Sequence, residues 1–393
     1  MIQMEYLTNL SKQYNFSLDV VKKLALVYKN EVYSVLDALK KPSSKFYVRT
    51  NTLKITSDDL ISKLQDQGFS FRKDPYFEDA IFIKVHENKH IPLFGKSITV
   101  DKQTAEAVLL GSDVYAPGVV HTDKIRKAEY VTVYDPFGNA IGSGIAEMSS
   151  KDILTFRKGL AVRLIYKRYN IPSLSQLSAY FEGLLYPQHY PSIITTHALE
   201  PTETDVVVDV CAGEGGKTTG LAQLMHNKGR IIAIERSIKR IEKLKENLYR
   251  MGIKNVTPIH GDILKISKHI MKPFADKILI DPPCSNLGLR PKLSEEKTEE
   301  DILSVAHYQR KIIKSASRLL KPGGVLVYST CTLTFEENEE NTFFVTNTLG
   351  LSSDTLTLPS AFFKSYSPKS HNMLRFHPHL YNTIGFFIAR FVK

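Results

Sequence analysis

Cysteine is scarce in this chain of 393 residues: only Cys211, Cys284 and Cys331 are present. Any pairing leaves one thiol over and no CxxC spacing occurs, so neither a disulfide framework nor a structural zinc site is expected. No metal is expected. The chain also lacks an apolar run of about 18 residues, the length a membrane-spanning helix needs. Its start, MIQMEYLTNL, has no basic stretch leading into an apolar core, and a cytoplasmic protein without membrane attachment is expected. Acidic residues are in deficit, with 41 Asp and Glu against 52 Lys and Arg, a net charge of +11. That balance favours an anionic partner such as nucleic acid without requiring one. No obligate protein partner is expected.

The length exceeds one ordinary domain, and the texture of the chain changes twice. Residues 17–40 carry Val20, Leu24, Val27, Val32, Val35 and Leu39 at near-helical spacing, with Ser17 as a candidate cap. KFYVRTNTLK, residues 45–54, reads as a strand, and a short helical pattern follows to Gln67 with Gly68 as its stop. A mixed region over 1–92 is expected to bind RNA, with Lys45, Arg49 and Lys54 either facing the RNA or serving as ordinary solvated charges. Residues 93–169 hold short strands broken by Ala116-Pro117-Gly118, Asp135-Pro136 and Gly138-Asn139, a pattern of a small barrel-like module with exposed Lys124, Arg126 and Lys127.

Within the remaining 170–393, VVVDV, IIAIE, KILIDPP and GVLVYST are short, nearly continuous apolar runs separated by helical or glycine-rich pieces. They predict a doubly wound α/β domain with a parallel sheet covered on both faces. The first run opens into CAGEGGKTTG, where Ala212, Gly213, Gly215 and Gly216 permit a tight turn and close approach to a ligand, with a helix beginning near Lys217. Neither GxGxxG nor a full Walker A pattern is present, which leaves a nicotinamide oxidoreductase without its fingerprint. Glu235, ending the second run, is placed to receive a ribose hydroxyl pair, and Asp262 after the third to accept from an adenine amino group. An adenosine-containing cofactor at the sheet's switch point is the reading of this ordered set. Cys284 and Cys331 then lie beyond two further strand ends, where they can converge with Asp281 beside that cofactor, each a candidate nucleophile. The acidic FEENEEN after Cys331 reads as helical.

DVCAGEGGKTT, ILIDPPCSNLG, VLVYSTCTLTFEENEEN and IGFFIARF together resemble the Sun or Nop2-like RNA cytosine-5 methyltransferases. AEAVLLGSDVYAPGVV and GNAIGSGIAEMS resemble a PUA domain, and the whole is nearest to the subgroup that carries this module inserted. The resemblance implies a Rossmann-like methyltransferase that uses S-adenosyl-L-methionine on structured RNA, a tRNA held by its acceptor stem and 3′ CCA end and methylated near that end, with the tRNA variable region or rRNA as the runner-up target. It also implies Cys331 as the covalent nucleophile, Cys284 as the residue assisting product release, Asp281 at the cytosine edge and Lys217 as a charged neighbour. Cys211, Ala212, Gly213, Glu214, Gly215, Gly216, Lys217, Glu235, Arg240, Asp262 and Asp281 are the expected cofactor contacts, Cys211 as a packed small residue. Spacing alone does not divide the roles of the two thiols, because DNA cytosine methyltransferases place their nucleophile in a Pro-Cys pair like Pro283-Cys284. The chain departs from the pattern CAAPGGK at Glu214, from DAPCSG at Pro282 and Asn286, and has Ile384 where an aspartate often precedes GFF. A noncatalytic RNA-binding factor is the competing class, which charge and module alone would also support.

Overall fold

A computed structural model describes residues 4–356, 358 and 373–393. Its largest element is an eight-stranded sheet with the order Val256–His260, Arg230–Glu235, Val206–Asp209, Ala275–Ile280, Leu320–Thr330, Phe386–Val392 and Ser352–Ser353, with Met373–Phe376 pairing on Phe386–Val392. The first five strands run parallel and Phe386–Val392 returns antiparallel. Apolar clusters cover both faces, which is why these strands read as continuous hydrophobic runs. The strand order reverses between Val206–Asp209 and Ala275–Ile280, so the loops leaving these two strands open a crevice at their C-terminal ends.

The β-rich module is a six-stranded sheet over Ser97–Lys167 around its own core, with turns at the expected Ala116–Gly118 and after Tyr134. Lys124, Arg126 and Lys127 are exposed on it. Near the N-terminus, Ser17 caps a helix by accepting from Val20 N at 3.2 Å. The single helix expected over 17–40 is broken, however, into Leu18–Tyr28 and Val32–Leu39 by a 3₁₀ turn at Lys29–Glu31. The five-residue step from Val27 to Val32 puts the two apolar stripes out of helical phase. The break lets both face one core with Leu287, Ile302 and Leu333 of the catalytic region.

The strand expected over 45–54 ends at Thr50. It belongs to a four-stranded sheet whose outer member, Leu185–Pro187, lies beyond the β-rich module in sequence. A boundary at residue 170 therefore cuts that sheet: Leu185–Pro187 pairs with the N-terminal region and not with the eight-stranded sheet. Arg49 is a second departure. It is fully buried, neither RNA-facing nor solvated, and its guanidinium donates to Gln223 Oε1 at 2.7 Å, Thr219 Oγ1 at 2.6 Å and Gly216 O at 2.6 Å. Gly220 makes room for it, since a Cβ there would come within 2.6 Å of the guanidinium.

Candidate active site

The glycine-rich turn follows Val206–Asp209, with Gly213 and Gly215 at φ of +56° and +91°, a region glycine enters without strain. Helix Gly216–Leu224 begins there. Cys211, Ala212, Gly213, Glu214, Gly216 and Lys217 line a cavity of about 720 Å³, together with Glu235, Arg240, Asp262, Asp281, Cys284 and Cys331. Residues more than a hundred positions apart meet because their strands end at one edge of the sheet. Gly215, expected among them, does not line the cavity; a Cβ on it would meet Leu244 Cδ1 at 2.5 Å, so its small size serves the packing of the turn.

Glu235 is held by two backbone donors, Gly213 N at 2.9 Å and Ser237 N at 2.7 Å. Each carboxylate oxygen keeps a further lone pair for a ligand. Asp262 caps the next short helix through one oxygen, accepting from Leu264 N at 2.9 Å, and no described residue donates to the other. Tyr308 and Ile312, from the helix Glu299–Ser317, add apolar surface to the same cavity. Two acceptor carboxylates at successive strand ends, backbone turned in close by glycine and an apolar wall fit an adenosine-containing cofactor. Arg240 reaches the cavity from an exposed position, while Cys211 packs on the sheet core and its thiol is pushed well up by burial and by the surrounding carboxylates, a setting that keeps it inert.

Asp281 accepts from Lys217 Nζ at 2.5 Å and from Ser329 Oγ at 2.8 Å, so its carboxylate is fixed between two elements. The two thiols stand beside it, with Cys284 Sγ and Cys331 Sγ 3.3 Å apart. The hydrogen bond with Cys331, together with burial, pushes the Cys284 thiol well up, because two sulfurs this close do not both carry charge. Asn286, between the strand end and Leu287, has φ of +58° and places its Oδ1 2.9 Å from Cys331 Sγ and 3.2 Å from Cys284 Sγ.

The acidic segment after Cys331 differs from its expected form. Its helix starts only at Glu339, and Glu337 and Asn338 before it are fully buried. Glu337 accepts from Ser285 N at 2.9 Å, Gln309 Nε2 at 2.9 Å and Thr334 Oγ1 at 3.0 Å. Gln309 Nε2 also donates to Pro283 O at 3.0 Å, and Ser285 and Thr332 hydroxyls meet at 2.6 Å. These bonds lock the loop carrying Cys284 to the loop carrying Cys331. Asp209, Gln188, His189, Asn286 and Tyr308 also line the cavity and were not among the expected site residues. For Asn286 a signal existed, since asparagine is the residue that most readily replaces glycine at positive φ.

The sequence profile of the 16S rRNA methyltransferases RsmB/F matches residues 196–392, that of the PUA domain residues 96–166, and that of an RsmF/B-like ferredoxin-like domain residues 20–88. The chain belongs to the RsmB/F family. It is 41% identical over 381 residues to the tRNA (cytosine(72)-C(5))-methyltransferase of Pyrococcus horikoshii, covering 95% of this chain and 96% of that protein. It is 31% identical to the human tRNA (cytosine(72)-C(5))-methyltransferase NSUN6, covering 92% and 91%. The crystal structure of NSun6 from Pyrococcus horikoshii with SFG, an analogue of S-adenosylmethionine, superposes with a TM-score of 0.87 at 39% identity, covering 97% of this chain and 99% of that one. This RsmB/F enzyme is therefore an S-adenosylmethionine-dependent cytosine-C5 methyltransferase with a Rossmann-like catalytic domain, a PUA domain and a ferredoxin-like N-terminal region.

Proposed function

We propose that this RsmB/F enzyme methylates C5 of a cytosine in the tRNA acceptor stem, cytosine 72 by similarity to its relatives, through a covalent bond from Cys331 to C6. The observation that carries the chemistry is the thiol pair, 3.3 Å apart in the cavity that Glu235, Asp262 and the glycine turn share. S-adenosylmethionine, when bound, supplies an electrophilic methyl group on its sulfonium. C5 of cytosine is too weak a nucleophile to take it unaided. The Cys331 thiolate adds to C6, and the displaced π electrons make C5 nucleophilic. Asp281, fixed by Lys217 and Ser329, is the acceptor for the cytosine amino edge and steadies the ring while it carries this charge.

After methyl transfer the C5 proton must leave, its bonding electrons re-forming C5=C6 as the C6–S pair returns to Cys331. Cys284 is placed to accept that proton. While Cys331 is free, its hydrogen bond and burial hold its neighbour protonated; once Cys331 is a neutral thioether its share of that barrier is gone, burial and Glu337 remain, and the Cys284 thiol must give its proton to solvent before it takes the one from C5. A thiol held high is also the stronger base once ionised.

The PUA domain is assigned to the 3′ CCA end, supported by its exposed Lys124, Arg126 and Lys127 and the net charge of +11. No helix among the described residues is long and apolar enough to cross a membrane. We place the enzyme in the cytoplasm, where a thiol pair this close stays reduced. The test of the roles is a pair of variants. Cys331→Ala should lose both turnover and RNA attachment, whereas Cys284→Ala should accumulate an RNA–protein adduct, mapped by peptide mass spectrometry to Cys331. An adduct through Cys284 would exchange the two roles.

A further inference from the structure

Asn286 lines the cavity, and its Oδ1 is within hydrogen-bond distance of both thiols, 2.9 Å from Cys331 and 3.2 Å from Cys284. It is exposed to the cavity, and its backbone at φ +58° aims the short side chain back across the loop ends. The amide therefore bridges two sulfurs that are themselves 3.3 Å apart. Its oxygen suits thiols, which donate S–H; it does not suit a thiolate, which can only accept. The χ2 torsion of asparagine is broad and two-fold, so a half-turn replaces the oxygen by an N–H donor at the same place without moving the backbone.

We propose that Asn286 is a positioning residue: its amide gathers both thiols in the resting enzyme and turns to donate an N–H to the Cys331 sulfur while that sulfur is anionic, before attack on C6 and again on elimination. The covalent step is unchanged. Cys331 S–H gives its proton to solvent, a sulfur lone pair forms the S–C6 bond as the C5=C6 π pair moves to C5, and on release the S–C6 pair returns to sulfur, while the amide N–H faces it, as the C5–H pair re-forms C5=C6. Asn286 thus acts through Cys331 and keeps its own bonds intact. The proposal rests on the reading of Cys331 as nucleophile.

The test compares Asn286→Gly and Asn286→Asp in the full-length enzyme acting on a tRNA transcript. Glycine accepts φ +58° without strain and removes the amide. Aspartate keeps the oxygens but supplies no donor and adds a charge that opposes a thiolate. A charge-assisted N–H contributes enough that the glycine variant should lose about tenfold in kcat with the RNA KM unchanged. The aspartate variant should lose more, and the acid limb of its kcat–pH profile should move to higher pH than in the glycine variant. Asn286→Gln, which keeps an amide, should recover part of the rate lost in the glycine variant. Equal losses in glycine and aspartate variants with superimposable pH profiles, or rates within about twofold of native in both, would overturn the proposal. Cys331→Ala is run beside them: activity surviving there defeats the nucleophile assignment, whereas loss of activity there with unaffected Asn286 variants defeats only this inference.

Discussion

Asp209, at the end of the first catalytic strand, is 1% exposed and holds Thr218 Oγ1 at 2.7 Å. Burial pushes its carboxyl up to about 6, with Asp281 opposing ionisation further. The unfolded side chain ionises near pH 4, so between about pH 4 and 6 the folded state retains a proton the unfolded state has lost, and stability falls as pH rises through that window. Asp209→Asn keeps an acceptor for Thr218 and removes the penalty. Its stability relative to the native enzyme should therefore increase from pH 5 to pH 8 by about 1.4 kcal/mol, read by urea denaturation at both values. A constant difference across that range would show that Asp209 ionises freely. At the same scale most of the residues that line the cavity together were legible in the sequence, because thiols, glycines and carboxylates directly after apolar runs have few structural duties that require them. Asn286 was legible only as a departure; its two sulfur contacts depend on how Cys284 and Cys331 converge, 47 positions apart in the chain.

Two elements show why the supporting structure was not legible. Strand Lys45–Thr50 was recognisable by its residues, but Arg49 in it bonds Gln223, 174 positions away, and the carbonyl of Gly216 at the start of the cofactor helix. No local pattern announces a buried arginine with a distant partner set. Lysine cannot span those acceptors, so Arg49→Lys should destabilise the fold by about 2–4 kcal/mol and raise the Kd for S-adenosylmethionine, measured by denaturation and calorimetry. Cofactor affinity equal to native would uncouple the strand from the site. FEENEEN similarly read as helical, whereas Glu337 precedes the helix and is an acceptor that ties both cysteine loops to Gln309. Glu337→Ala removes the acceptor that ties the two loops together. Turnover should fall by about tenfold or more, with cofactor binding retained, because the thiols and not the adenosine site lose their register.

At the scale of the molecule, the PUA domain is inserted between two strands of one sheet, and the second of these, Leu185–Pro187, leads directly into Gln188 and His189 at the cavity. Glu106 of the PUA domain accepts from Leu293 N of the catalytic domain at 2.8 Å, a second tie between the modules. Such coupling fixes the PUA domain relative to the cavity; under the proposed function, a tRNA end held on that domain would present a nearby base to Cys331. A cytosine at the end of a stem is also less costly to unstack than one inside a helix. RNA binding should weaken steeply with salt, as phosphate contacts release counterions, yet salt dependence is shared by any RNA-binding reading. The decisive measurement is site-resolved bisulfite sequencing of a tRNA transcript methylated by the purified enzyme, with and without its 3′ CCA. The expected result is 5-methylcytosine in the acceptor stem at position 72, lost when CCA is deleted and retained when the anticodon loop is replaced. A mark confined to the variable region, indifferent to CCA, would contradict it.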